Sequence, residues 1–233
     1  MNKLIAVTGG TKGIGRAILD KFSAHGFDII TCARNEDELY KLKTHLEKSG
    51  VKAYVSVADL SDKNQVKAFT EFVNSIGRPL DVLVNNAGFF LPGLVTEEPE
   101  GALESMINTN LYSAYYTTRG LIGHMKANKS GHIFNICSIA SIIAYPNGGS
   151  YSISKFALLG FSKVLREEVK AHGIRVTAIL PGATLTASWE GVELPEERFM
   201  KAEDVADVVY AAYALSGRSV VEEIVIRPQF GDI

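Results

Sequence analysis

The chain has 233 residues, of which 46% are hydrophobic and 21% charged, and its net charge at neutral pH is −2. This balance is typical of a globular protein, and the mixing of acidic and basic residues argues against a nucleic-acid-binding stripe or a polybasic membrane-binding segment. No apolar stretch approaches the length that spans a bilayer. The length accommodates one large α/β domain or two small ones.

Cysteine and histidine usage points to a protein without disulfides or metals. Cys32 and Cys137 lie in apolar runs that resemble strands, so we expect buried thiols, as in a reducing compartment. The five histidines never pair at zinc-ligand spacing, and we expect no metal site. The apolar run that follows Met1 is too short for a signal peptide. These features together predict a cytoplasmic location.

Short β-branched runs alternate with longer helical patterns along the whole chain. Strands are expected at residues 4–8, 27–33, 51–57, 82–85, 132–136, 174–180 and 220–226. Helices are expected at residues 13–25, 36–48, 63–76, 100–126, 151–171 and 202–215, with Ser61 as the N-cap of the third. The alternation predicts a doubly wound parallel sheet of seven strands with helices on both faces, a Rossmann-type fold forming a single domain over residues 1–233.

A glycine-rich turn follows the first predicted strand. Gly9, Gly13 and Gly15 have the spacing Gly-x3-Gly-x-Gly, which permits a tight turn and lets backbone N–H groups approach a phosphate at a helix N-terminus. The spacing is neither the common dinucleotide fingerprint nor a Walker loop, and such a turn can also connect a strand to a helix without binding a ligand. The candidate phosphate contacts are Gly9, Thr11, Lys12, Gly13, Ile14 and Gly15.

The end of the second predicted strand indicates which dinucleotide is preferred. Proteins that bind NAD commonly place an acid here, about twenty residues past the glycines, on the ribose 2′-hydroxyl. This chain has Ala33 followed by Arg34, and Lys12 adds a second positive charge. A guanidinium binds a 2′-phosphate bidentately, whereas an acid repels it. The pattern favours NADP(H), although both cations could simply be solvated.

Ser138, Tyr151 and Lys155 stand as Ser-x12-Tyr-x3-Lys. On a helix, Tyr151 and Lys155 lie on one face, one turn apart. We expect the ammonium to lower the pKa of the phenol, and Ser138 to hold a substrate oxygen against it. This arrangement would move a proton on or off an alcohol or carbonyl oxygen. Taken alone, the Tyr-x3-Lys pair is far more often an ordinary amphipathic pair, and the rest of the chain is what favours the catalytic interpretation.

With the glycine turn and this triplet together, the chain resembles the classical short-chain dehydrogenase/reductases over essentially its full length. Asn110, in Asn108-Thr109-Asn110, matches the family's helix asparagine, which completes a catalytic tetrad with Ser138, Tyr151 and Lys155. Further segments resemble cofactor-binding parts of the family. They are Asp59-Leu60 at the adenine ring, Asn85-Asn86-Ala87-Gly88, which matches the family's Asn-Asn-Ala-Gly motif and places Asn86, Ala87 and Gly88 beside the cofactor, and Pro181, Gly182, Thr184 and Thr186 at the nicotinamide end.

The resemblance implies an NADP-dependent oxidoreductase that transfers hydride between the nicotinamide and a carbonyl carbon. It implies that Tyr151 donates the proton in reduction, that Lys155 also holds the nicotinamide ribose, and that Asn110 orders a water that relays protons. It further implies a homodimer or homotetramer that pairs near Tyr112 and Phe156, with a small-molecule substrate and neither nucleic acid nor membrane as a partner.

Substrate identity stays open between two readings. Residues 181–186 and the C-terminal residues 219–233 look similar to bacterial sepiapterin reductase-like members, which favours a sepiapterin- or diketone-type carbonyl. In that reading Asp232 meets a polar group, and Trp189, in the expected substrate loop at about residues 181–199, is either a lid or a packing anchor. The alternative is a 3-oxoacyl-acyl-carrier-protein reductase, whose glycine-rich tail this chain lacks. A non-catalytic NADP(H)-binding regulatory protein is the alternative of another class.

Overall fold

The computed structural model describes residues 1–186, 191 and 194–232. Their strands form one parallel sheet in the order β3-β2-β1-β4-β5-β6-β7, which confirms the predicted doubly wound fold. The chain order reverses between β1 and β4, and ligands of such sheets bind outside the carboxyl ends of the strands at this reversal. The strands are β1 (Leu4–Thr8), β2 (Asp28–Ala33), β3 (Ala53–Val57), β4 (Val82–Asn85), β5 (Gly131–Ile136), β6 (Ile174–Pro181) and β7 (Glu223–Ile226).

The α-helices follow the predicted alternation, with one correction in the middle of the chain. They are α1 (Gly13–Ala24), α2 (Glu36–Glu47), α3 (Lys63–Ser75), α4 (Ala102–Ile107), α5 (Ser113–Asn128), α6 (Gly149–Val169) and α7 (Ala202–Ala214). The single helix expected at residues 100–126 is in fact α4 and α5, joined by a π-helical turn at Asn108–Tyr112. Short π-helical turns of this kind, which hold more residues per turn than an α-helix, are frequent at functional sites. This turn carries Asn110.

The prediction that Ser61 caps α3 is wrong by one residue. Asp62 is the N-cap, and its side chain accepts a hydrogen bond from the backbone N–H of Asn64 at 2.8 Å. A carboxylate suits this position because it meets both the free N–H groups and the positive end of the helix dipole. The Ser61 hydroxyl instead donates to the carboxylate of Asp59 at 2.8 Å.

Apolar side chains cover the sheet on both faces, as the near-continuous hydrophobic strands predict. Along β1, Ile5 and Val7 belong to one buried cluster, which includes residues of α1, α2 and α7. Leu4 and Ala6 belong to the other, with residues of α3, α5 and α6. Both cysteines are buried and unpaired, as expected. Within the described ranges, no helix is both long and apolar enough to cross a membrane.

Candidate active site

A cleft of about 1320 Å³ opens at the carboxyl ends of the strands. It exceeds the 300–1,000 Å³ that is usual for a drug-sized ligand, so it has room for a dinucleotide together with a small substrate. Every residue that the sequence nominated for catalysis or cofactor binding lines this cleft except Gly15 and Asn110. The structure therefore brings together residues that are up to 177 positions apart, from Gly9 near one end of the chain to Thr186 near the other.

The glycine turn between β1 and α1 has the features of an anion site. Gly9 and Gly13 have φ angles of +69° and +55°, which glycine adopts without strain. The N-cap of α1, Lys12, makes no side-chain capping bond, and the first turn carries no acidic residue, so the free N–H groups and the helix dipole face the cleft unopposed. Gly15 lies behind the turn, where a Cβ would come within 2.5 Å of the Asn86 amide.

Asn86 and Thr8 hold this turn to the end of β4. The Asn86 amide donates to the backbone carbonyls of Thr8 and Gly9 at 2.9 and 3.0 Å. In return, the Thr8 hydroxyl accepts from the backbone N–H groups of Asn86 and Ala87. The segment that resembled the family's Asn-Asn-Ala-Gly motif thus supports the glycine turn, while Ala87 and Gly88 line the cleft beside it.

The far end of the cleft carries both predicted cations, but one of them is paired. Lys12 Nζ lies 3.0 Å from a carboxylate oxygen of Glu38. Arg34 is exposed at the same end and lines the cleft with Asp59 and Leu60. Hydrogen bonds from the backbone and hydroxyl of Ser61, with the charge of Arg34 nearby, lower the pKa of Asp59. Arg34 is therefore the better placed of the two cations for a 2′-phosphate.

Ser138 is held in place at the end of β5. It is the N-cap of a short 3₁₀ helix, Ile139–Ser141, and its hydroxyl accepts from the backbone N–H of Ala140 at 3.1 Å. The Ser141 hydroxyl accepts from the backbone N–H of Ser138 in return, which completes a capping box. The Ser138 hydroxyl also lies next to the Tyr151 phenol, where it acts to lower the pKa of that phenol. Ser138 and Tyr151 therefore present adjacent hydroxyls to the cleft.

Tyr151 and Lys155 lie one turn apart on α6, as predicted, but the expected effect of the lysine on the phenol is wrong. Burial raises the pKa of Tyr151 above its ordinary value, and the neighbouring Ser138 hydroxyl offsets part of this rise. Lys155 Nζ lies 5.7 Å from the centre of the Tyr151 ring and donates to the carbonyl of Ile136 at 2.8 Å. Burial lowers the pKa of Lys155 to about 8.

The physical reason for this correction is desolvation. Removing a phenolate from water costs more here than an ammonium beyond hydrogen-bonding distance returns. Tyr151 consequently holds its proton at neutral pH. A protonated phenol is the form that donates to a carbonyl oxygen, so the side chain is suited to carbonyl reduction.

Asn110 lies under the cleft instead of lining it. The π-helical turn directs the Asn110 side chain toward the backbone of Phe89. Its amide oxygen accepts a hydrogen bond from the Phe89 N–H at 2.9 Å, and its amide nitrogen donates one to the Phe89 carbonyl at 3.0 Å. The same amide donates to the Ser154 hydroxyl at 2.9 Å. A Cβ at Gly88 would lie 3.0 Å from Asn110 Oδ1 and 3.6 Å from Lys155 Nζ. Asn110 therefore packs near the lysine and fixes the chain that follows β4.

The end of the cleft that the family resemblance assigns to the nicotinamide is formed by the segment after β6 and by C-terminal residues. The Thr184 hydroxyl donates to the carbonyl of Gly182 at 3.1 Å. Asp232 also lines the cleft and is ion-paired with Arg227, whose Nε lies 3.1 Å from Asp232 Oδ1. A Cβ at Gly182 would lie 3.2 Å from that same carboxylate oxygen. Trp189 lies outside the described residues.

Sequence reasoning missed an apolar and aromatic wall of the cleft. Phe89, Phe90, Ile143 and Tyr145 line it, and the Phe90 ring contacts the Tyr151 ring edge-on, with centroids 4.9 Å apart. Burial raises the pKa of Tyr145 to about 12, so its phenol remains neutral. The available signal was two phenylalanines directly after the Asn-Asn-Ala-Gly segment, at the edge of the sheet where ligands bind.

Comparison with known proteins identifies the family. The family model for short chain dehydrogenases matches residues 3–197. The chain belongs to this family of oxidoreductases, and the fold and the cleft at its carboxyl edge agree with that assignment.

Individual relatives cover all or nearly all of the chain. It is 33% identical to the sepiapterin reductase of Chlorobaculum tepidum, over 100% of this chain and 99% of that protein. An alcohol dehydrogenase from the archaeon Thermococcus sibiricus, complexed with 5-hydroxy-NADP, is similar with a TM-score of 0.93 at 26% identity, covering 100% and 99% of the two chains. The L-sorbose reductase of Gluconobacter frateurii, complexed with NADPH and L-sorbose, has a TM-score of 0.88 at 28% identity, covering 97% and 95%.

Proposed function

We propose that the protein is an NADPH-dependent reductase of a small carbonyl compound of the sepiapterin or diketone type. The observation that carries the proposal is the pair of adjacent hydroxyls, Ser138 and Tyr151, on the wall of a cleft that begins at a glycine turn suited to an anion. A carbonyl oxygen placed between them meets two hydrogen-bond donors, one of which holds a transferable proton.

NADP(H) as the cofactor is supported by the charge at the far end of the cleft and by the NADP-type ligands of the two structural neighbours. Gly9, Gly13 and the start of α1 would hold the pyrophosphate, and Arg34 the 2′-phosphate. Lys155 would hold the nicotinamide ribose, as the family resemblance implies. When bound, the cofactor supplies the hydride that reduces the carbonyl carbon.

The side chains supply the proton and the geometry. Tyr151 donates its phenolic proton to the carbonyl oxygen, and Ser138 keeps that oxygen within reach of the phenol. Lys155, held on the carbonyl of Ile136, carries a positive charge below about pH 8 and stabilises the phenolate that is left behind. Asn110 fixes the chain beside Lys155, and we propose that it orders the water through which Tyr151 is protonated again.

Two features favour a compact, partly polar substrate. The wall formed by Phe89, Phe90 and Ile143 suits a flat or apolar ring, and the ion pair between Asp232 and Arg227 lies beside Gly182 in the same cleft. A carboxylate that already faces the cleft can exchange part of its bonding to Arg227 for a substrate donor. The sepiapterin reductase relative supports this reading.

An activity assay with three carbonyl substrates distinguishes the proposed function from its alternatives. Sepiapterin, a simple diketone and an acetoacetyl thioester are each offered with NADPH, and the loss of NADPH absorbance is followed. We expect turnover with sepiapterin or the diketone. Turnover with the thioester alone would favour a 3-oxoacyl-acyl-carrier-protein reductase, and NADPH binding without turnover on any carbonyl would favour a regulatory binding protein.

We further propose that the protein is a cytoplasmic homodimer or homotetramer. Tyr112, Ile153, Phe156 and Val164 are large apolar side chains left exposed around α5 and α6, as at a subunit interface. Phe156→Glu should convert the assembly to smaller species in sedimentation analysis. A wild-type protein that sediments as a monomer would contradict the proposal.

A further inference from the structure

A carboxylate outside the predicted tetrad is built into the start of the catalytic helix. Glu98 belongs to the segment between β4 and α4, and it is half-buried. One of its oxygens accepts from the backbone N–H of Ser150 at 2.9 Å, and the other accepts from the Ser150 hydroxyl. Ser150 is the second residue of α6 and directly precedes Tyr151.

Two glycines make the space that this carboxylate occupies. A Cβ at Gly149 would collide with Glu98 Oε1, and a Cβ at Gly93 would lie 2.6 Å from Glu98 Cγ. Gly93 is itself joined to the chain in front of α6, because its N–H donates to the carbonyl of Asn147 at 3.1 Å and it forms a parallel bridge with Gly148. Side-chain and backbone contacts therefore fasten the same two segments at the same place.

The fastened segment also carries the aromatic wall of the cleft. Phe90 lies three residues before Gly93 and contacts the ring of Tyr151 edge-on, and Phe89 is held from the other side by the amide of Asn110. The contact between Glu98 and Ser150 thus connects the segment that carries the aromatic wall to the start of α6, which carries the proton donor Tyr151. A carboxylate at a helix N-terminus is stabilised by the free N–H groups and the helix dipole, and it cannot leave without exposing them.

We infer that Glu98 is a positioning residue for the reduction: it sets the orientation of Tyr151 and the distance between Tyr151 and the wall at Phe90. The inference rests on the proposed function, since Tyr151 is the proton donor there. Glu98 does not touch the reacting atoms, and it is not among the groups that shift the pKa of Tyr151. Its effect is therefore geometric, and small misplacements of a catalytic group are costly.

Glu98→Ala should lower kcat by about 10- to 100-fold, because displacing a catalytic group by about 1 Å can cost up to about 100-fold. The Kd for NADPH should change by less than about 2-fold, because the glycine turn lies elsewhere in the cleft. Glu98→Gln keeps an oxygen for the Ser150 N–H and should retain kcat within about 3-fold. Ser150→Ala keeps that N–H and should show a smaller loss, and adding it to Glu98→Ala should cost nothing further. The exposed neighbour, in Glu97→Ala, is the matched control.

Hydrogen exchange provides a readout that does not need activity. In Glu98→Ala, amides of residues 89–98 and 147–151 should exchange faster, while those of β1 and α1 should not change. Wild-type kcat in Glu98→Ala, or loss of kcat only in proportion to loss of folded protein, would overturn the inference. If the wild type reduces no carbonyl, the proposed function fails, and unchanged exchange in Glu98→Ala would then separately overturn the claim that this contact holds α6.

Discussion

Replacing Tyr151 with phenylalanine separates proton donation from every other contribution of this side chain. The ring, its edge-on contact with Phe90 at 4.9 Å and its place on α6 are all kept. Only the hydroxyl, which lies next to that of Ser138, is removed. Losing one hydrogen-bonding group of this kind changes the free energy of unfolding by about 0.5–1.5 kcal/mol. The folded protein and its binding of NADPH should therefore survive the change.

Turnover should not survive it. A positioned general acid contributes about 10²- to 10⁴-fold, which corresponds to about 3–5.5 kcal/mol of transition-state stabilisation at 1.36 kcal/mol per factor of ten. The assay is steady-state loss of NADPH absorbance with the best carbonyl of the panel, with the Kd for NADPH measured alongside by fluorescence. Wild-type turnover in Tyr151→Phe, or loss of turnover together with NADPH binding, would refute the assigned role.

Three further predictions test the cofactor end, the pH dependence and the fold. Arg34→Asp should shift the preference from NADPH toward NADH by about 10-fold or more in kcat/KM, because a carboxylate repels the 2′-phosphate; an unchanged ratio would show that Arg34 does not read that group. Carbonyl reduction should weaken as pH rises through about 8, where Lys155 loses its charge, and not before, because the raised pKa of Tyr151 keeps the phenol protonated; a rate that stays level well past pH 9 would contradict this order. In α5, Gly123→Ala should raise the free energy of unfolding by about 0.5–1 kcal/mol, because nothing lies within 4 Å of the added methyl group. Gly120→Ala should instead lower the free energy of unfolding, because a Cβ there would lie 2.7 Å from Thr70 Cβ on α3. Equal melting temperatures for these two variants would show that the close approach of α3 and α5 is not what requires glycine.

The sequence predicted most accurately those strands whose limits are set by a local run of apolar, β-branched residues. The limits of β1 and β4 agree with the β-branched runs at Leu4–Thr8 and Val82–Asn85, because buried parallel strands need continuous apolar sequence. The π-helical turn at Asn108–Tyr112 was not predictable, since the apolar pattern passes through it without a glycine or proline. Choosing Ser61 instead of Asp62 as the cap of α3 was an error of one position between two good capping residues.

The site was predictable in its residues and less so in its electrostatics. Motif spacing nominated Ser138, Tyr151 and Lys155, and the structure brings all three to one cleft. The sign of the Tyr151 pKa shift depends on burial by segments distant in sequence, which spacing does not reveal. The ion pair of Lys12 with Glu38 and the contact of Glu98 with Ser150, 52 residues apart, are likewise products of tertiary structure.

A structure of the complex with NADP⁺ and an alcohol product tests the central claim most directly. The account predicts that the oxygen of the reacting carbon lies within about 2.6–3.2 Å of both the Tyr151 and Ser138 hydroxyl oxygens, with the nicotinamide beside them and the 2′-phosphate at Arg34. An oxygen bound out of reach of Tyr151, in a complex that turns over in solution, would contradict it.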